Sequence, residues 1–112
     1  MNDDQRRLAD ILAAVADASL IVERGREGFD ADPLAVRAAK NIVTEIGEAT
    51  KALSPATTDA IAEVPWRAIA GMRDRTIHRY PEVDLDVLWD TLAFDLPELA
   101  DQIRQHLDRI TD

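Results

Sequence analysis

Apolar residues recur every three or four positions along most of the chain, which is the spacing of an amphipathic helix. The first apolar stripe consists of Leu8, Ile11, Leu12, Val15, Ser19 and Val22. Acidic residues lie between its members. This pattern predicts a helix that begins near Asp3 or Asp4 and ends at the turn residues 25–28, where two glycines occur.

A second helix is predicted from Asp32 to about Leu53. Asp32 followed by Pro33 is the pairing typical of an N-cap and a first helical residue. The apolar stripe of this helix consists of Val36, Ala39, Val43, Ile46 and Leu53, with Thr50 in phase. Its near-heptad spacing and its small residues favour close packing against a neighbouring helix.

Prolines divide the middle of the chain. Ser54-Pro55 is expected to end the second helix, and Thr57 or Thr58 to cap a short helical turn before Val64-Pro65. Pro65 then opens a third main helix, which is predicted to end at Tyr80-Pro81 and to contain Trp66, Ile69, Met72 and Ile77.

Asp84 is suited to be the N-cap of a last helix. One face of this helix would carry Leu85, Leu88, Trp89, Leu92, Leu99, Ile103, Leu107 and Ile110. Pro97 lies inside that pattern, so we expect a kink or a short break near Asp95. No segment alternates long enough to predict a strand. The sequence therefore predicts an all-α fold, an up-and-down bundle of four to five helices that occupies residues 1–112 as a single domain.

Composition narrows the class of protein. The 112 residues include no cysteine, so neither a disulfide framework nor a thiolate metal site is possible. The charged N-terminus lacks the apolar core of a signal peptide, and no apolar run approaches the roughly 20 residues that span a bilayer. We therefore expect a cytoplasmic protein without a membrane segment.

The formal net charge of -9 disfavours nucleic-acid binding, but the charge is unevenly distributed. Residues 67–80 carry a net charge of +3, whereas residues 1–66 carry -5 and residues 81–112 carry -7. The basic residues of the middle segment are Arg67, Arg73, Arg75 and Arg79. The acidic residues Asp84, Asp86, Asp90 and Asp95 are predicted to form a solvated face or a surface that meets a basic partner.

The basic segment contains a histidine, His78, five residues after Arg73. Together they suit phosphodiester cleavage, because an imidazole can move a proton while a guanidinium holds the phosphoryl oxygens. In RNA the 2′-hydroxyl supplies the nucleophile, so this chemistry needs no metal. Asp74 lies four residues before His78 and is placed to orient its imidazole.

Geometry limits what one copy of this segment can do. On an ideal helix Arg73 and His78 are about 140° apart, so a groove shared across a twofold axis is a better site than one helix alone. Arg73 and Tyr80 align instead, being seven residues apart. Judged by spacing alone, the segment is more typical of a helix end with solvated charges than of a catalytic site.

Two segments resemble the HepT-type proteins of the HEPN superfamily. Residues 66–103 read WRAIAGMRDRTIHRYPEVDLDVLWDTLAFDLPELADQI and contain the family's Arg-x4-His-x-Tyr hallmark as Arg73, His78 and Tyr80. Residues 46–53, IGEATKAL, are similar to its second signature. The two segments lie within residues 46–103, a range of more than half of the chain, and the resemblance implies a HEPN-like bundle of four or five helices.

The resemblance also implies a function. HepT-like proteins are homodimeric, metal-independent ribonuclease toxins of type VII-like toxin–antitoxin modules, and they need no cofactor. Their partner is a minimal nucleotidyltransferase, which neutralises the toxin by transferring AMP to the motif tyrosine. Carried over to this chain, Arg73 and His78 are the catalytic pair and Tyr80 is the AMP acceptor. The activity would be that of an endoribonuclease or an exonucleolytic RNA trimmer, with tRNA or mRNA as the substrate.

Other residues receive supporting roles from the same resemblance. Glu48 is a candidate polar residue facing the motif, with a solvated helix charge as the equal alternative. Asp74 stands where the family often has asparagine and adds negative charge where phosphate would dock. Arg79 stands where the family often has a small residue; with Arg75 it is a candidate phosphate contact.

Two other functions remain open. The chain could be a catalytically weak interaction module that binds and regulates the nucleotidyltransferase, a reading favoured by the net charge and by Asp74. It could also be the helical substrate-binding half of a nucleotidyltransferase, encoded separately. Trp66 and Trp89 are predicted to be core or interface residues, and His106 has no ligand-spaced partner, so no metal site is predicted.

Overall fold

A computed structural model describes residues 2–72 and 84–111 of the chain. The first helix, α1, spans Asp3–Glu23, as the sequence predicts. Asn2 is its N-cap: the Asn2 side chain accepts from the Gln5 N–H at 2.8 Å, and the Gln5 side chain accepts from the Asn2 N–H at 3.1 Å. This reciprocal pair satisfies two donors at the start of the helix.

The buried face of α1 differs in part from the predicted stripe. Leu8, Ile11 and Val15 are buried as predicted, but Ser19 is exposed, and its hydroxyl donates to the Val15 carbonyl at 3.2 Å. Small side chains complete the buried face, which also includes Ala14, Ala18 and Ile21. The prediction for Ser19 is wrong because the packing of later helices, Pro33–Lys51 and Leu96–Thr111, against α1 decides which residues are covered.

The prediction of a turn over residues 25–28 is correct for Gly25 and wrong for the residues that follow it. Only Gly25 reverses the chain, with a φ of 83° that a side chain would disfavour, and Arg26–Ala31 form a short helix, α2. Arg26 pairs with Asp30 at 2.9 Å along this helix, and Phe29 is buried beneath it. The ion pair and the buried ring stabilise a short helix that its internal glycine, Gly28, would otherwise disfavour.

Helix α3 spans Pro33–Lys51, and its start confirms the prediction. The Asp32 side chain accepts from the Leu34 N–H at 2.9 Å, and Pro33 occupies the first turn. Its buried residues include most of the predicted stripe: Ala39, Val43, Ile46 and Thr50.

The next two helices are short. Helix α4 spans Pro55–Ala60, and Ser54 is its N-cap instead of the predicted Thr57 or Thr58, since the Ser54 hydroxyl is the group that accepts from a first-turn N–H. Helix α5 spans Trp66–Ala70 and begins after Pro65, as predicted. Its C-cap is Gly71, a residue of low helix propensity, so the predicted continuous helix is interrupted there, and Met72 is again helical. The rest of that predicted helix lies outside the described residues.

The last part of the chain is helical from Leu85 to Thr111. Helix α6, Leu85–Asp90, is followed by a π-helical turn, Thr91–Asp95, and by helix α7, Leu96–Thr111. In the π-turn, the Leu96 N–H donates to the Thr91 carbonyl, five residues earlier. Pro97 cannot donate to the carbonyl four residues before it, and the wider π-turn accommodates that missing bond without breaking the helix. The irregularity predicted near Asp95 is therefore a π-helical turn and not a break in the helix.

These helices form one all-α bundle around a single core. Helix α1 packs against α3 and α7, α3 packs against α5, and α2 closes the end where α1 meets α3. The largest fully buried side chains are Leu8, Ile11, Phe29, Ile46, Ile61, Met72, Leu88, Leu92, Leu96 and Ile103. Within residues 2–72 and 84–111 there is no strand, which agrees with the predicted fold class. No helix in these two ranges is long and apolar enough to cross a membrane.

Candidate functional site

Most of the predicted site residues belong to one segment of the chain. Arg73, Asp74, Arg75, His78, Arg79 and Tyr80 lie outside the described residues. The structure does describe the chain on both sides of this segment, up to Met72 and from Asp84 onward. The contacts of these two flanks fix the positions of the residues that precede and follow the motif.

Trp66 fixes the flank that precedes the motif. Its indole N–H donates to the carbonyl of Thr58 at 3.1 Å and to that of Ile61 at 3.0 Å, which ties the start of α5 to the end of α4. Ile69 and Met72 are buried in the core, whereas Arg67 is exposed. The described chain up to Met72 is therefore anchored by both hydrogen bonds and apolar packing.

A cluster around Asp4 supports the same flank. The Asp4 carboxylate accepts hydrogen bonds from the Ser54 hydroxyl, from the Ser54 N–H at 3.2 Å and from the Thr57 hydroxyl at 2.6 Å. These hydrogen bonds stabilise the charged form and lower the pKa of Asp4 below its ordinary value, the Ser54 hydroxyl contributing most. The cluster joins the first turn of α1 to the start of α4.

Two sets of contacts fix the flank that follows the motif. The Asp84 side chain caps α6 by accepting from the N–H groups of Asp86 and Val87, at 3.0 and 3.2 Å. The guanidinium of Arg26 bridges Asp30 on its own helix, at 2.9 Å, and Asp86 in the first turn of α6, at 2.6 Å. Helix α2 thereby holds the start of α6.

Aromatic packing reinforces this second flank. The rings of Phe29 in α2 and Trp89 in α6 lie 5.5 Å apart with an interplanar angle of 47°. Phe29 is 1% exposed and Trp89 is half-buried. Trp66 and Trp89 are both packed against the core, in agreement with the prediction that they are core or interface residues.

Glu48 is the one predicted site residue that the structure describes. It lies exposed on α3 and lines an outer groove between α1 and α3, together with Asp10, Asp17 and Glu45. Small residues form the floor of this groove, which has a volume of about 480 Å³. Four carboxylates on one surface make it strongly negative and unsuited to phosphate.

Sequence reasoning missed the residues that hold the second flank. Arg26 was placed in a turn, although its spacing of four from Asp30 is a signal of helical pairing. Its longer-range partner, Asp86, lies 60 residues away, and no local pattern in the sequence indicates that contact.

The described residues offer no evident metal centre. Within residues 2–72 and 84–111, no group of three or more histidine, aspartate or glutamate side chains is arranged to hold a metal ion. His106 lies half-buried on α7.

Comparison with known proteins identifies the relatives of the chain. A family model described as "Ribonuclease HepT-like" matches residues 11–106. A protein of Caldanaerobacter subterraneus subsp. tengcongensis, provisionally named as an RNase, is 35% identical over 97 residues, which cover 83% of this chain and 87% of that protein. A protein of Thermococcus cleftensis, named as a probable ribonuclease HepT, is 35% identical over 100 residues, which cover 85% of this chain and 91% of that protein. No solved structure gives a significant match.

Proposed function

The chain belongs to the HepT-like ribonuclease family, and from that premise we propose that it is a metal-independent ribonuclease whose catalytic pair is Arg73 and His78. The observation that carries the proposal is that the matched region, residues 11–106, contains both of these residues and Tyr80 in the family's order. The two related proteins provisionally or probably named as ribonucleases support the same activity.

The proposed reaction is an internal transfer within RNA. The 2′-oxygen attacks the adjacent phosphorus, the bond from phosphorus to the 5′-oxygen breaks, and the 2′-hydroxyl proton is removed while the leaving oxygen gains one. His78 carries a proton in this exchange, and Arg73 holds the phosphoryl oxygens. Arg75 and Arg79 add phosphate contacts, and Asp74 orients the imidazole.

The products provide a chemical test. In EDTA, the purified protein should cut tRNA or mRNA and leave 2′,3′-cyclic phosphate and 5′-hydroxyl ends. Ends that carry a 5′-phosphate, or activity that disappears with EDTA and returns with magnesium, would contradict the proposed mechanism.

We propose that the site is a groove between the two copies of a homodimer, since Arg73 and His78 do not share a face of one ideal helix. Glu48 is exposed on α3, where it is accessible to the partner copy. A mixture of Arg73→Ala and His78→Ala proteins tests this arrangement. Random re-pairing should restore about a quarter of the parent activity if each site takes one residue from each copy. No restoration would place both residues of a site in one copy.

We further propose that the protein is the toxin of a toxin–antitoxin module and acts in the cytoplasm. A minimal nucleotidyltransferase would neutralise it by transferring AMP to Tyr80, the only tyrosine of the chain. The added phosphodiester would bring negative charge beside Arg73 and compete with RNA for the guanidinium. Co-expression with such an enzyme should raise the intact mass by one or more AMP units, and Tyr80→Phe should abolish the increase.

The interaction-module alternative, favoured in the sequence by the net charge and by Asp74, has one structural feature in its favour, the negative groove that includes Glu48. It makes a different prediction in the same experiments. A stable complex with the nucleotidyltransferase, together with no RNA cleavage by the protein alone, would support the module and contradict the toxin.

A further inference from the structure

Arg67 is a basic residue of the described chain to which the proposed function gives no role. It belongs to residues 67–80, the segment with a net charge of +3 in a chain of net charge -9. Arg67 lies exposed on α5, and the Gly71 N–H donates to its carbonyl at 3.1 Å, so one helical turn separates the two residues. The motif begins two residues after Gly71. Among the described cations, Arg67 is therefore the nearest in sequence to the proposed catalytic pair.

The guanidinium of Arg67 has no carboxylate partner among the described residues. Most other arginines in the described ranges are paired. A carboxylate oxygen lies 2.6–3.6 Å from the guanidinium of Arg6, Arg7, Arg24, Arg26 and Arg104. Arg37 and Arg109 also lack such a partner, but they lie on α3 and near the end of α7, far from the motif in sequence. An unpaired guanidinium keeps its five N–H donors for a ligand.

The backbone that carries Arg67 is anchored by its neighbours. The Trp66 indole N–H donates to the carbonyls of Thr58 and Ile61, at 3.1 and 3.0 Å, and Ile69 is buried in the core. A cation on an anchored backbone loses less conformational entropy on binding than one on a segment that must first be ordered. Helix α5 therefore presents Arg67 from a fixed base.

Arg67 projects away from the acidic surface beside its own helix. Glu63, Asp95 and Glu98 are among the residues that line a groove between α5 and α7, and so is Ile69, but Arg67 is not. Residues two apart in a helix are separated by about 200° around its axis, so Arg67 and Ile69 lie on opposite sides of α5. An anion that approaches Arg67 therefore meets the side of α5 opposite these carboxylates.

We propose that Arg67 binds a backbone phosphate of the RNA substrate at a position other than the scissile one. This inference rests on the proposed ribonuclease function. The guanidinium donates paired N–H bonds to the phosphate oxygens, and the contact strengthens binding without reading the sequence. RNA is favoured over an acidic protein as the ligand, because Arg73, the next arginine of the basic segment, is proposed to hold another phosphate of the same strand.

Binding of a short, fluorescein-labelled strand of 2′-O-methyl RNA to the full chain tests the proposal. This probe lacks the 2′-hydroxyl that attacks in the proposed reaction, so fluorescence anisotropy reports binding alone. Arg67→Gln should weaken binding about tenfold at low salt, the loss expected for a hydrogen bond to a charged group. The slope of log affinity against log salt concentration should also become shallower by about 0.7, the value for one phosphate contact with a single strand. Arg67→Lys should keep the slope of the parent, because it keeps the charge.

A matched variant separates a local contact from the overall charge. Arg109→Gln removes the same charge from another exposed arginine that has no carboxylate partner among the described residues. It should leave both the affinity and the salt slope unchanged. Circular dichroism shows whether each variant is folded.

Several results would overturn the proposal. They are equal effects of Arg67→Gln and Arg109→Gln, a parent-like salt slope for Arg67→Gln, and no binding of the probe by the parent. Tighter binding of a polyglutamate peptide than of the RNA probe, lost in Arg67→Gln, would indicate an acidic protein as the ligand instead. Binding through Arg67 without cleavage of unmodified RNA would contradict only the proposed function, so the two failures are distinguishable.

Discussion

Thr50 and Thr91 allow the same substitution to be made in two opposite environments. Both side chains are buried, with exposures of 5% and 3%. The Thr91 hydroxyl donates to the Val87 carbonyl at 2.8 Å, whereas the Thr50 hydroxyl has no hydrogen-bond partner among the described residues. Valine has nearly the same shape as threonine and replaces only the hydroxyl by a methyl group. The pair therefore isolates the effect of hydrogen bonding on a buried hydroxyl.

The two replacements should change stability in opposite directions. Thr91→Val removes a satisfied hydrogen bond and should lower the free energy of unfolding by about 1 kcal/mol. Thr50→Val removes a buried hydroxyl whose burial without a partner costs about 1–3 kcal/mol, so it should raise that free energy by about 1 kcal/mol or more. In a domain of this size, 1 kcal/mol corresponds to a shift of about 4–8 °C in the melting temperature.

Urea denaturation of the parent and the two variants measures the effect. The midpoints should move to either side of the parent midpoint, with unchanged slopes, because the surface exposed on unfolding is the same. If both variants were destabilised by similar amounts, the assignment of an unpartnered hydroxyl to Thr50 would be refuted.

Further predictions concern the chain around the motif. Gly25→Ala forces a side chain into a φ of 83° and should cost about 1–2 kcal/mol, whereas Gly28→Ala, inside α2 with open space at its Cβ position, should gain about 0.5–1 kcal/mol; thermal unfolding of both checks the pair. The pKa of Asp4 is lowered in the folded state, so its contribution to stability is present above its ordinary pKa of 3.8 and is lost as the pH falls. Asp4→Asn should therefore lose less stability than the parent between about pH 6 and about pH 3, as urea denaturation at each pH would measure; equal losses for the two proteins would contradict this prediction.

The long helices were predictable because their signals are local. The Asp32-Pro33 pair and the cap at Asp84 each combine a side-chain acceptor with the first helical turn, and the structure confirms both. The prediction of a helix over residues 3–23 holds as well, since its apolar period extends over several turns.

The predictions that failed depend on tertiary contacts. Helix α2 has six residues, one of them a glycine, and it forms because Phe29 is buried and Arg26 meets two carboxylates. Ser19 has the spacing of a core residue, yet the neighbouring helices cover Ala18 and Ile21 instead. A short window of sequence does not determine which face of a helix is buried. It also does not determine a contact between residues that are 60 positions apart, such as Arg26 and Asp86.

For the candidate site too, local features were predictable from the sequence and long-range contacts were not. Its residue types and order were recognisable from residues 73–80 and 46–53, and the family match agrees with that recognition. The contact that holds the flank after the motif could not be predicted, because Arg26 and Asp86 are 60 positions apart and meet only through packing. The roles of Arg73, His78 and Tyr80 remain predictions.

The central claim, cleavage by a site that contains His78, is tested most directly by the two histidines of the chain. Single-turnover cleavage of RNA in EDTA should be slowed about 10²- to 10⁴-fold by His78→Ala, the usual contribution of a general acid or base. His106→Ala, which alters α7 rather than the motif, should cleave at the parent rate. Equal rates for the parent and His78→Ala would contradict the account.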